Sequence, residues 1–95
     1  MDDMQPIMTD YNAYKIWHLH ARIHRTDGPA VIYKNGTKCW YYRGAFHRTD
    51  GPAVEYANGY KEWYIKGKLL SFDEWLDQNS ALTEEEKVMM KLQYG

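Results

Sequence analysis

The sequence predicts a mainly β fold with helices confined to its C-terminus: an antiparallel meander of three 23-residue hairpin repeats, capped by two short α-helices. Three observations predict it. Residues 24–46 (HRTDGPAVIYKNGTKCWYYRGAF) and 47–69 (HRTDGPAVEYANGYKEWYIKGKL) share 15 of 23 positions without a gap, a tandem duplication. Both copies place Asn-Gly, a strong hairpin signal, between apolar stretches. Two capping-box patterns follow the repeats, Ser71-Phe72-Asp73-Glu74 and Thr83-Glu84-Glu85-Glu86.

A third, worn copy lies 23 residues earlier. Trp17, Trp40 and Trp63 fall in register, as do Lys15, Lys38 and Lys61, then Asn12, Asn35 and Asn58, then Pro6, Pro29 and Pro52. Ala13 and Ala21 replace Gly36 and Gly44 in this copy, the degeneration expected of a terminal repeat. Type I′ turns at Asn35-Gly36 and Asn58-Gly59 predict that Val31 faces Trp40 and Ile32 faces Cys39, within six strands. One face then carries Val31, Tyr33, Lys38, Trp40 and Tyr42, with Val54, Trp63, Met8 and Trp17 as counterparts. This is the expected core face, with the tryptophan ladder as its spine. The other face carries Ile32, Cys39, Tyr41 and Tyr64, and sets Glu55 opposite Glu62. Asp-Gly-Pro marks the turn that joins one unit to the next.

The repeat pattern stops at Leu69. Phe72, Trp75 and Leu76 form a short amphipathic stripe. Val88, Met89 and Leu92, with Leu82, form a second, and both stripes are expected to pack on the core face of the sheet. The chain reads as one domain over 1–95, with repeats over 6–70 and a helical cap over 71–95. Charge is nearly balanced overall, 12 Lys and Arg against 13 Asp and Glu, which excludes a simple polybasic binder. It is distributed unevenly: residues 11–70 carry ten basic and four acidic residues, residues 71–95 two and six. A single cysteine, Cys39, excludes a disulfide framework and fits a reducing cytoplasm. Mean hydropathy is -0.76, no apolar run approaches a membrane span, and Met1-Asp2-Asp3 is acidic where a secretion signal is basic.

The stretches Trp40-Tyr41-Tyr42-Arg43-Gly44-Ala45-Phe46-His47 and Trp63-Tyr64-Ile65-Lys66-Gly67 resemble the MORN repeat family. The HRTDGPA blocks at 24–30 and 47–53 are similar to an HRxDGPA variant of that family, found in small proteins of large tailed phages and some bacteria. The resemblance covers residues 6–69 and implies a curved antiparallel sheet used for protein–protein contact, without catalytic residues. For a phage protein it implies inhibition of a host protein, such as a defence component.

The residues themselves point to binding rather than catalysis. No nucleophile elbow, phosphate loop or metal motif is present, and no cofactor is expected. Four histidines are explained in part by repetition, since His24 and His47 are equivalent. The connections between units gather Arg22, Arg25, Arg43, Arg48, Lys66 and Lys68 along one edge. That edge suits an acidic protein surface or, alternatively, a nucleic-acid backbone. Arg25 and Arg48 have a second reading, as partners of Asp27 and Asp50 within their own loops. The candidate partner-binding residues are Tyr41, Arg43, Arg48, Tyr64, Lys66 and Lys68. The expected partner is another protein, with self-association through the sheet or helices also open.

Overall fold

A computed structural model describes residues 5–95; the acidic start at residues 1–3 lies outside them. Among the described residues ten short strands precede two helices: β1 (Ile7–Asp10), β2 (Tyr14–Leu19), β3 (Arg22–Ile23), β4 (Val31–Tyr33), β5 (Lys38–Cys39), β6 (Tyr41–Tyr42), β7 (Ala45–Phe46), β8 (Val54–Glu55), β9 (Lys61–Ile65), β10 (Lys68–Leu70), α1 (Phe72–Gln78) and α2 (Glu84–Tyr94). Eight strands form one sheet in the order β1-β2-β4-β5-β8-β9-β10, with β3 beside β2; β6 and β7 form a separate ribbon. Every pairing is antiparallel. The meander and its helical cap are therefore as the sequence predicts, but ten strands replace the expected six.

The extra strands arise because each unit makes two kinds of hairpin. At Asn35-Gly36 the loop has three residues rather than two. The Tyr33 carbonyl accepts from the Gly36 amide at 3.0 Å, and the Tyr33 amide donates to Thr37 at 2.9 Å. Gly36 has φ +99° while Asn35 stays at negative φ, the signature of a turn closed by a glycine bulge. Asn35 Oδ1 accepts from the Thr37 amide at 2.9 Å and holds the loop. Tyr56, Gly59 and Tyr60 repeat the arrangement. The type I′ turns lie elsewhere, at the connections. His20-Ala21, Arg43-Gly44 and Lys66-Gly67 each have positive φ at both central residues.

The longer loop moves the register by one residue. Val31 faces Cys39 rather than Trp40, and Val54 faces Glu62 rather than Trp63. Because a one-residue slip exchanges faces, Val31, Val54 and Cys39 form a buried cluster with Tyr41, Phe46 and Tyr64 packed on it, and the tryptophans lie outside it. Glu55 does not oppose Glu62. It faces Lys61 across the strands and accepts from Arg48 at 3.0 Å, while Glu62 accepts from the Tyr56 hydroxyl at 3.2 Å. In the worn first hairpin Met8 does face Trp17, yet on this edge strand Met8 remains 45% exposed.

Both capping boxes form as predicted. Trp75 and Leu76 join Trp63, Leu70 and Met90 in a second buried cluster, bordered by Phe72 and Tyr94. The helices thus cover the last unit and leave the rest of the tryptophan face to other groups. The stripe expected on α2 is not the buried one: Val88, Met89 and Leu92 are 56%, 64% and 78% exposed. Met90 and Tyr94 face inward instead, because Tyr94 meets the edge of the Trp63 ring at 5.0 Å.

Candidate functional site

The repeated block at the connections is a folding device whose residues have separable roles. His24 is buried, and its Nδ1 accepts from the Arg43 amide at 2.9 Å; His47 does the same for Lys66 at 2.9 Å. Each histidine, at the start of its unit, therefore clamps the type I′ turn near the end of that same unit. Arg43 and Lys66 sit at φ +51° and +50°, a region that costs an L-residue about 1–2 kcal/mol, and the clamp offsets part of that strain. Burial and then the neighbouring cation push the pKa of each histidine down, Arg43 acting on His24 and Lys66 on His47. The neutral ring is the form whose Nδ1 can accept.

The arginine of the block turns inward. The Arg48 guanidinium lies 3.8 Å from the centre of the Trp40 ring. Its Nε donates to Asp50 at 2.8 Å, and its Nη1 donates to the Pro52 carbonyl and to Glu55, both at 3.0 Å. Arg25 repeats this over Trp17 at 3.9 Å, with Asp27 and the Pro29 carbonyl. Hydrogen bonding to Arg25, then its charge, hold the Asp27 carboxyl below its usual pKa. The second reading of Arg25 and Arg48, as loop partners, is the one realised. Arg48 accordingly lies within the scaffold, with only 17% of its side chain exposed.

The remaining candidates separate into two groups. Arg43 and Lys66 are exposed on the turns, and Lys68 is exposed at the start of β10. Tyr41 and Tyr64 are not: they flank Phe46 at ring distances of 4.6 and 4.8 Å and are half-buried against the valine cluster. The register shift is the cause, because it turns their face inward. Tyr42, expected in the core, is instead 41% exposed and lies between His24 and His47, at ring distances of 4.7 and 5.8 Å. Arg22, which the sequence places on this edge, lies beside Arg43 together with His20, the residue equivalent to Arg43 one repeat earlier.

Three clefts open along this edge. The middle one, of about 600 Å³, is lined by Arg25, Asp27, Trp40, Tyr42, His47, Arg48 and Asp50 among others. Two more adjoin it. One of about 530 Å³ is lined by His20, Arg22, His24, Thr26, Tyr42 and Arg43 among others. The second, of about 570 Å³, includes His47, Thr49, Ile65, Lys66 and Lys68. His24, Thr26, Tyr42 and Arg43 become His47, Thr49, Ile65 and Lys66 on adding 23, so the two clefts share four repeat-equivalent positions, while Arg22 is particular to the first and Lys68 and residues 78–81 to the second. Among the described residues, neither is lined by a carboxylate. Four ion pairs occur among those residues, and none involves Arg22, Arg43, Lys66 or Lys68.

Cys39 is buried, and burial followed by the charge of Glu62 raises its thiol pKa, which keeps it protonated and unreactive at neutral pH. No group of three or more His, Cys, Asp or Glu that could hold a metal ion occurs among the described residues. No helix of those residues is long and apolar enough to cross a membrane. Comparison with known protein families, curated proteins and solved structures finds no match to this chain.

Proposed function

We propose that this chain is a non-catalytic protein-binding module acting in the cytoplasm, which engages an acidic partner surface through the basic edge of its connecting turns. One observation carries the reading: Arg22, Arg43, Lys66 and Lys68 form no ion pair among the described residues, Lys68 reaching only as far as a weak influence on Glu74, whereas the inward arginines of the same edge are paired. Charges left unpaired along one edge steer a partner of opposite sign. A stiff scaffold adds the advantage of preorganised contact groups. The module would act by occluding the surface it covers, and the phage resemblance extends this to inhibition of a host protein.

The test is capture of a partner from lysate by the full chain and by the Arg43→Glu, Lys66→Glu double variant. The variant should weaken binding at least tenfold, equivalent to about 1.4 kcal/mol, with an unchanged melting temperature, because exposed charges contribute little stability. Unaltered capture by the double variant would refute the basic edge as the contact. The nucleic-acid alternative predicts capture that disappears on nuclease treatment and weakens steeply with salt.

A further inference from the structure

We infer that the two repeat-related clefts form a paired site for an extended acidic segment of another protein, which places carboxylates three residues apart into successive clefts. The inference rests on the binding reading above and adds a ruler to it. Each cleft offers two exposed cations, Arg22 with Arg43 and Lys66 with Lys68. Beside them lie a neutral histidine and a threonine, His24 with Thr26 and His47 with Thr49. Leu19 and Tyr42 in one and Ile65 in the other add apolar walls, and Asn79 and Ser80 of the cap border the second. Paired cations beside hydroxyl and apolar groups suit a side-chain carboxylate on a short aliphatic stem.

The step between clefts follows from the sheet. One repeat advances the meander from β4 to β8, two strand positions away through β5. Adjacent strands lie about 4.8 Å apart, so successive clefts are about 10 Å apart. A polyproline II segment has three residues per turn and rises about 3.1 Å per residue, which returns the same face every ~9.3 Å. A β-strand returns its face at about 6.8 and 13.6 Å, neither of which matches. The geometry therefore selects acidic residues at i and i+3 in a segment tolerant of proline. The carboxylates of the cleft between them, Asp27 and Asp50, are held by Arg25 and Arg48 at 2.8 Å.

The experiment is a titration of the full chain, at low ionic strength, with labelled proline-framed peptides that carry two glutamates. Spacings of i,i+2, i,i+3 and i,i+4 are compared at constant length and charge, with an i,i+7 helical peptide and a single-stranded oligonucleotide of equal charge. The i,i+3 peptide should bind at least fivefold more tightly than either neighbouring spacing. Arg22→Gln with Arg43→Gln, or Lys66→Gln with Lys68→Gln, should each reduce it to the level of a one-glutamate peptide. Circular dichroism checks that both variants keep the fold. Affinity that follows charge without regard to spacing overturns the inference, as does preference for the helix or the oligonucleotide. If those results accompany lysate capture that still depends on Arg43 and Lys66, the ruler fails while the binding reading stands. Loss of both defeats both.

Discussion

Trp40 and Trp63 hold the same place in successive repeats, yet they are covered in different ways. Trp40 is half-buried beneath the Arg48 guanidinium, supplied by the next unit. Trp63 has no following repeat. Its cover is Phe72 and Trp75, each at a ring distance of 4.7 Å, with Tyr94 at its edge. Adding 23 to Arg25 gives Arg48, and a further 23 leads to residue 71, where the chain carries Ser71, the N-cap of α1. The helix begins where the next arginine would be. The cap also takes up backbone groups of the preceding loop: Trp75 Nε1 donates to the Arg48 carbonyl at 3.0 Å and Asn79 Nδ2 to the Thr49 carbonyl at 2.8 Å. A repeat array needs its exposed end closed, and here an aromatic cluster replaces the cation–π stack that closes the units before it.

The difference should appear first in stability. Trp63→Ala removes a ring that is 8% exposed and contacts three other aromatic rings, and should cost about 3–5 kcal/mol in urea denaturation. Trp40→Ala should cost only about 1–2 kcal/mol, because the half-buried site opens to water and Arg48 keeps its hydrogen-bonded acceptors. Equal losses at the two positions would show that the guanidinium seals as well as the helices do, and the contrast would break.

A finer comparison sets the two Asp-Gly-Pro loops against each other. A Cβ at residue 51 would lie 2.6 Å from Arg48 Cζ, whereas one at residue 28 would lie 3.0 Å from Arg25 Cζ. Arg48 is also held by Glu55, which has no counterpart beside Arg25, where the chain carries Ile32. Gly51→Ala should therefore cost about 1–3 kcal/mol by overpacking, and Gly28→Ala measurably less. Matching urea midpoints for the two variants would mean that the guanidinium yields freely in both loops.

These loops also mark the boundary of what the sequence discloses. The 23-residue period, the antiparallel hairpins and both helix starts are legible because each depends on local chemistry: glycine after asparagine, or serine and threonine three residues before glutamate. The register is not, because Asn-Gly suits a two-residue turn and a bulged three-residue loop alike, and that one residue decides which face holds Cys39 and Tyr41 and which holds Trp40. Positive φ at Arg43 and Lys66 is invisible for a related reason. The histidines that stabilise it lie 19 residues away in sequence. In α2, the run Val88-Met89-Met90 offers apolar groups to more than one face, and only the tertiary contact of Tyr94 with Trp63 selects between them. Of the candidate site, the exposed cations were legible from their recurrence. The inward turn of Arg48 was legible only as one of two readings, and the burial of Tyr41 and Tyr64 follows from the register.

The smallest expected effect concerns the histidine clamps, and it separates the repeats from the cap by pH. His24 and His47 titrate in the fold below their ordinary value of 6.5, through burial and the adjacent cation. Between the folded and unfolded values the unfolded chain holds protons that the native chain does not, so acid favours unfolding there. Stability should be full above pH 6.5 and fall as pH drops below it, levelling once the folded values are passed. Protonation also makes Nδ1 a donor facing the Arg43 or Lys66 amide, which removes the clamp. Asp27 and Glu74 act at lower pH, because their folded values lie below 3.8 and 4.5, so their contributions persist above that range and are lost only on further acidification. The Asn Oδ1 lies as many bonds from Cα as the His Nδ1 and accepts at every pH. His47→Asn should therefore keep the Lys66 turn and flatten part of the decline in melting temperature below pH 6.5. Trp63→Ala should lower the whole curve without changing its slope, since its cover contains no histidine. A His47→Asn curve parallel to that of the unaltered chain would place the acid sensitivity outside the clamps and return His47 to a packing role.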